Sequence, residues 1–237
     1  AKRLESCVTD RTRAIIVNTP CNPTGNCLSR RSLEEIAAIA KKHDLIVVAD
    51  DIYTIFSYQE PFLPIMTLDG MRERTITINS FSKNFLMTGW RLGSIVAPDY
   101  IIRAISLINE SVVYSAPTIS QRAGIYALKN RRTICPPIAE EYRRRLNYAA
   151  KRINAIPHMR VLTPPGGTFY LFADIRETGL TSMEVCHTLL KEAHVLTIPG
   201  IGFGRCGEGF LRFACTLKEE KMKEAFDRME KVSIFQK

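Results

Sequence analysis

Residues 80–93 read SFSKNFLMTGWRLG. The run leading into them, TITINSF at 75–81, alternates apolar and polar residues with the period of a half-buried strand, so Ser80, Ser82 and Lys83 emerge at or just past a strand end. Open α/β sheets bind ligands at that edge. Arg91 adds a forked cation that can hold a phosphate dianion through two parallel hydrogen bonds. A Lys83 buried beside it would have a lowered pKa, and a neutral lysine amine forms Schiff bases with carbonyl compounds. The stretch therefore fits a lysine that carries a phosphorylated aldehyde.

Outward from this stretch the first half alternates strands and helices. AIIVNTP (14–20), LIVVADD (45–51), TITINSF and GSIVAP (93–98) read as strands. LIVVAD is a near-continuous apolar run ending in acid, as in a strand covered on both sides. A helix is predicted from about Ser32 to His43, because Leu33, Ile36, Ala37 and Ala40 recur at i, i+3, i+4 and i+7, with Ser29 or Ser32 available as cap. Such a βαβ pattern implies a mostly parallel sheet. Helices follow at about 99–112 and 117–129, and Pro136 and Pro137 are read as opening a long charged helix to about Asn154. A domain boundary is placed near Cys135, dividing the chain into residues 1–135 and 136–237. The second part reads RVLTPPGGTFYLFADI (160–175), a helix from about Ser182 to Ala193, VLTIPG (195–200), GFLRFACT (209–216) and a terminal helix from about Lys218. That is a smaller α+β domain with a largely antiparallel sheet. Gly202, Gly204 and Gly207 spell G-x-G-x-x-G, but a dinucleotide fingerprint must open a helix, and EGFLRFACT reads as a strand. The glycines are instead expected in a flexible loop covering an active site.

A chain of 237 residues can bury a full core in one large or two modest domains. With 46% hydrophobic and 24% charged residues and no repeat, disordered and solenoid classes are excluded. No apolar stretch reaches the roughly 18 residues of a membrane span. The opening AKRLESCVTDRTR has no apolar leader core, so a cytoplasmic protein without membrane attachment is expected. The seven cysteines form no C-x-x-C pair and read as reduced thiols. His43, His158, His187 and His194 make no ligand cluster, and no metal is expected. The net charge of +9 concentrates on helix faces such as EEYRRRLNYAAKR (140–152), read as solvated and suited to anionic small molecules rather than nucleic acid.

Together with NTPCNPTG (18–25) and VVADDIY (47–53), the lysine stretch resembles the fold-type I, pyridoxal-phosphate-dependent aminotransferases of class I/II, aspartate- and aromatic-aminotransferase-like. The match runs through nearly the whole chain in family order: Asn22, then Asp50 and Tyr53, then Lys83 and Arg91, then Arg212 in FLRFACT. The resemblance implies the incomplete large cofactor domain of that family followed by its small C-terminal domain. It implies that Asp50 stabilises the protonated pyridine nitrogen, with Asp51 a neighbour of lesser role, and that Asn22 and Tyr53 donate to the phenolic oxygen. Lys83 would hold the cofactor as an imine and then shuttle the substrate Cα proton. Ser80, Ser82 and Arg91 would contact the phosphate, and Gly89 and Gly93 would occupy positions of close backbone approach or turns. Arg212, costly among Phe210, Leu211 and Phe213 without a partner, would bind the substrate carboxylate with Asn22; a structural ion pair, or an edge-strand side chain reaching solvent, is the alternative.

The implied activity is transfer of an amino group from an amino acid to a 2-oxo acid with ping-pong kinetics. A pyridoxal-phosphate-dependent carbon–sulfur β-lyase and a non-catalytic aminotransferase-like effector domain are the alternatives. Phe169, Tyr170 and Phe203 point only to apolar lining, and a homodimer is implied for the intact protein. Residues 1–17 are too few for the glycine-rich phosphate loop and stacking aromatic ring that the family carries ahead of NPTG, so the chain reads as an N-terminally truncated form. Such a form is expected to be less stable or reliant on a partner, and its own activity is in question.

Overall fold

β-branched runs and a capped amphipathic helix build the first sheet. The computed structural model describes residues 2–236. They divide into two compact units, one of residues up to Pro20 with Cys27–Ile138, the other of Cys21–Asn26 with residues from Ala139 onward.

In the first unit a short helix α1 (Lys2–Glu5) precedes β1 (Ala14–Asn18). α2 (Arg30–Lys42) follows, with Ser29 as cap accepting the Ser32 N–H. Then come β2 (Ile46–Asp50), β3 (Thr75–Ser80), the single-turn α3 (Phe81–Asn84) and β4 (Gly93–Val96). The sheet order is β1-β2-β3-β4, parallel except for β4, which runs antiparallel to β3. Leu33, Ala37, Ile39 and Ala40 of α2 pack with Ile15, Val17, Val47 and Ala49. Burial of each Leu, Ile or Val among them stabilises by about 1.5–3 kcal/mol. The two-sided cover expected for β2 is not found. Val47 and Ala49 are buried, but Val48 is only half-buried and its register partner Ile16 is 76% exposed. α2 covers one face, and among the described residues no comparable apolar layer lies over Ile16.

α4 (Asp99–Val112) and α5 (Thr118–Lys129) lie within a residue of their expected bounds. The expected start of the next helix needs correction. α6 runs from Arg131 to Ala155 with Pro136 and Pro137 in its second turn rather than at its first position. Its first turn is closed by the Asn130 carbonyl, which accepts from the Thr133 and Ile134 N–H groups. Neither proline can donate to the carbonyl four residues earlier, a loss this long helix tolerates near its start.

In the second unit β5 (Arg160–Val161), β6 (Tyr170–Asp174), β7 (Ile198–Pro199) and β8 (Phe210–Ala214) form an antiparallel sheet in the order β5-β6-β8-β7. Leu171 and Ala173 of β6, Leu211 and Phe213 of β8, and Leu146 and Ile153 of α6 are buried. α7 (Ser182–Thr188) opens with a capping box between Thr181 and Glu184, and α8 (Glu219–Met229) buries Met222, Phe226 and Met229. The single helix expected over 182–193 is two: after Thr188 the backbone widens into a π-helical turn, Leu189–Ala193. Arg228 Nε donates to the Ala193 carbonyl at its end.

The G-x-G-x-x-G segment forms two 3₁₀ turns, Gly200–Phe203 and Arg205–Gly207, and opens no α-helix. Its tight position is set by packing: a Cβ on Gly200 would lie 1.9 Å from the Gly207 carbonyl oxygen, and one on Gly207 2.1 Å from that of Gly200. Gly202 meets nothing within 4 Å. Gly200→Ala is therefore expected to destabilise by about 1–3 kcal/mol or more, as overpacking does. Gly202→Ala should stay within about 0.5 kcal/mol. Urea unfolding of the two variants checks this order; equal or reversed losses would contradict the close packing of Gly200 against Gly207.

Candidate active site

Parallel pairing in the first unit gathers polar side chains at one sheet edge. Asn18 pairs in register with Asp50 at the ends of β1 and β2, and β3 ends beside them at Ser80. β4 begins at Gly93, paired with Ser80, so Arg91 lies two residues before that same edge. Asp50, Ser80, Ser82, Lys83 and Arg91 thus share the carboxyl end of the parallel strands, where such sheets bind ligands.

Asn18 Nδ2 donates to Asp50 Oδ2 at 3.0 Å and to the Asp50 carbonyl at 3.3 Å, fixing the carboxylate's orientation. The sequence reading missed Asn18; its one signal was its place at the end of β1. Burial raises the Asp50 pKa, and the Asn18 hydrogen bond opposes the shift. Among the described residues no cation pairs with Asp50. Next to it Asp51 is 3% exposed, and burial, then the charge of Asp50, push its carboxyl up to about 7. Tyr53 is buried at 2% exposure.

Ser80 caps α3 by accepting the Ser82 N–H at 3.2 Å. Lys83 is half-buried on that turn. Arg91 is exposed, sits in the left-handed region at φ 49°, and donates from Nη1 to the Thr88 carbonyl at 2.8 Å. That conformation is uncommon outside glycine, and such outliers cluster at functional sites. Gly93 is close-packed, since a Cβ there would lie 2.9 Å from the Asn79 carbonyl oxygen. Gly89 is not: nothing lies within 4 Å of its Cβ position, so this chain supplies no close approach there.

The second unit holds Asn22 and Arg212. The Cys21–Asn26 turn is closed by Cys21 N–H to the Asn26 carbonyl and Gly25 N–H to the Cys21 carbonyl. Gly25 adopts φ +70°, and a Cβ there would lie 2.8 Å from the Tyr170 carbonyl oxygen, so the position requires glycine. Asn22 Oδ1 accepts from Arg212 Nη1 at 3.0 Å. The Arg212 guanidinium lies 4.6 Å from the Tyr170 ring centroid and 5.1 Å from that of Phe203. Its buried Nε has no hydrogen-bond partner among the described residues. β8 is an interior strand, and Arg212 makes no salt bridge among the described residues, so neither alternative offered for it by the sequence holds. A guanidinium with one corner tied and a buried N–H unspent suits a carboxylate.

The donor set fits a phosphorylated pyridine aldehyde: a carboxylate without a cation, a lysine, two serines and an arginine at one edge. Among the described residues no helix is long and apolar enough to cross a membrane.

The acid pair gives a pH dependence. Unfolded, Asp51 loses its proton near the ordinary 3.8; folded, it keeps it to about 7. Between those values the folded state binds more protons, so this contribution is full below about 4 and is lost as pH rises through 7. Asp51→Asn should therefore gain stability over wild type on going from pH 5 to pH 8 in the cofactor-free protein, read as urea midpoints. A constant or shrinking difference would contradict the burial of this acid.

The family model described as "Aminotransferase class I and II" matches residues 1–229. Over 234 residues the chain is 44% identical to an aspartate aminotransferase of Pyrococcus abyssi, covering 97% of this chain and 59% of that protein. It is 43% identical, with the same coverage, to aromatic-amino-acid aminotransferase 2 of Thermococcus litoralis. A solved aromatic aminotransferase from Pyrococcus horikoshii superposes with a TM-score of 0.93 at 44% identity, covering 97% of this chain and 62% of that one. An aspartate aminotransferase double mutant from Thermus thermophilus does so at 0.90 and 31%, covering 97% and 59%. The chain thus spans about 59% of the length of the curated relatives it matches.

Proposed function

The chain belongs to the aminotransferase class I and II family, and on that premise we propose that its protein moves an amino group from an amino acid to a 2-oxo acid with pyridoxal phosphate as cofactor. The observation that carries this reading is the gathering of Asp50, Lys83 and Arg91 at one sheet edge. When bound, pyridoxal phosphate supplies an electron sink for the pair left behind as the substrate Cα proton departs.

The chain's residues do the rest. Asp50, oriented by Asn18, holds a proton on the pyridine nitrogen; a cation there relieves the burial that raises the Asp50 pKa. Tyr53 donates its hydroxyl hydrogen to the phenolic oxygen. Asn22, whose Oδ1 accepts from Arg212, is assigned to the same oxygen by its place in the N-P-T-G motif. Ser80, Ser82 and Arg91 hold the phosphate. Lys83 Nζ would anchor the cofactor at rest and, once displaced by the substrate amine, would carry the proton from the substrate Cα to the cofactor carbon it had been bonded to. Arg212 binds the substrate α-carboxylate through Nε and the adjacent guanidinium nitrogen, satisfying the buried N–H. In the intact protein the partner is expected to be a second copy of the same subunit.

Two substrates that share one carboxylate clamp bind in turn, so initial-rate plots against amino acid at several 2-oxo acid concentrations should be parallel. Arg212→Ala should lower kcat/KM for both substrates by about 10- to 100-fold, since hydrogen bonds to charged groups contribute ~1.5–3 kcal/mol. Intersecting plots, or an Arg212→Ala variant with wild-type kcat/KM, would count against the reading.

A further inference from the structure

The last backbone link between β2 and β3 is the Asp51 N–H donating to the Ile78 carbonyl at 2.9 Å. Beyond it the chain diverges into two branches, one carrying Tyr53 and the other Lys83. The side chain of Asn84 joins them. Its Nδ2 donates to Thr54 Oγ1 at 3.0 Å, and its Oδ1 accepts from the Ile55 N–H at 3.4 Å. Asn84 is 7% exposed, and its own carbonyl accepts from the Cys135 thiol at 3.8 Å. Thr54 follows Tyr53, and Asn84 follows Lys83. Each end of the bridge is therefore one residue from a side chain assigned to the cofactor.

We infer that Asn84 is a positioning residue, whose carboxamide clamps the lysine turn to the Tyr53 loop and so sets where the Lys83 amine stands relative to the Tyr53 hydroxyl. The inference rests on the functional reading above and adds a residue to it. The chemistry of the clamp is specific to a short amide. Alanine loses both bonds and strands the Ile55 N–H. Aspartate keeps an acceptor for Ile55 but buries a charge. A misplacement of about 1 Å between groups that act on the same atoms can lower turnover by roughly 100-fold.

The clamp makes a prediction that packing alone does not. A phenol hydrogen bond to the cofactor's ionised oxygen favours the deprotonated form of the lysine-linked chromophore, so a looser Tyr53 should raise the apparent pKa of its visible absorbance. Intact protein carrying Asn84→Ala, Thr54→Val or Thr54→Ser is loaded with pyridoxal phosphate. Cofactor content, the pH titration of the absorbance, kcat and KM are then measured. Asn84→Ala is expected to retain cofactor, raise the apparent pKa and lower kcat by about 10- to 100-fold with a smaller change in KM. Thr54→Val should shift both in the same direction, and Thr54→Ser, which keeps the acceptor, should restore them. If Asn84→Ala does not fold, the Val and Ser pair at position 54 carries the same comparison. An unmoved pKa with wild-type kcat, or a loss of kcat that only follows cofactor content, would overturn the inference and leave the functional reading intact. A wild-type protein that takes up no cofactor would overturn both.

Discussion

Register between the three parallel strands is the constraint on which the rest of the first unit depends. Side chains alternate faces along a strand, so a slip of one residue in β2 would carry Val47 and Ala49 out of the core and turn Asp50 to the other face. The apolar contacts with α2 fix that register. Because Asn18 is the register partner of Asp50, the same packing that buries Val17 and Val47 also brings an amide donor to the carboxylate. Core stability and site geometry are thus one requirement. β4 then folds back antiparallel from Gly93, where a side chain would collide with Asn79, and so returns Arg91 to the edge that Ser80 and Lys83 occupy.

Placing charge at such an edge is unfavourable until a ligand compensates it. Two consecutive aspartates share the end of β2, and burial raises both carboxyls, with the Asp50 charge adding to the shift at Asp51. Asn18 offsets only part of this at Asp50. The second unit repeats the logic with opposite sign. Arg212 is held by one amide and faced by two aromatic rings, contacts that each contribute about 0.5–2 kcal/mol, yet its Nε is left with no partner among the described residues. A site that leaves polar groups short in this way binds ions that restore them, and discriminates against molecules that lack them.

Much of this was legible in the sequence wherever the signal is local. The period-two run before Ser80, the apolar stripe of α2, the Ser29 cap and the alternation around Arg212 each follow from neighbours within a few residues. What escaped depends on contacts distant in the chain. Asn18 and Asn84 gain their roles from residues 32 and 30 positions away, and beyond the place of Asn18 at the end of β1 nothing local marks those partners. The close approach of Gly200 and Gly207 is likewise visible only once the turn is folded; of the three glycines that spell G-x-G-x-x-G, Gly207 alone is packed in this way. Pro136 and Pro137 misled because proline is at home in a first helical turn, whereas the Asn130 carbonyl already closes the first turn of this helix. The apolar run of β2 suggested two covered faces, but the face shared by Ile16 and Val48 lacks an apolar layer in the described residues.

The central claim is that the sheet edge exists to hold a carbonyl cofactor on Lys83. Its most direct test is to incubate the protein with pyridoxal phosphate, reduce with borohydride, and map the adduct by peptide mass spectrometry, with Lys83→Ala alongside. The account predicts a single stoichiometric adduct on Lys83 that is absent from the variant. Labelling spread over surface lysines in both proteins, or no adduct on Lys83 in the intact protein, would contradict it.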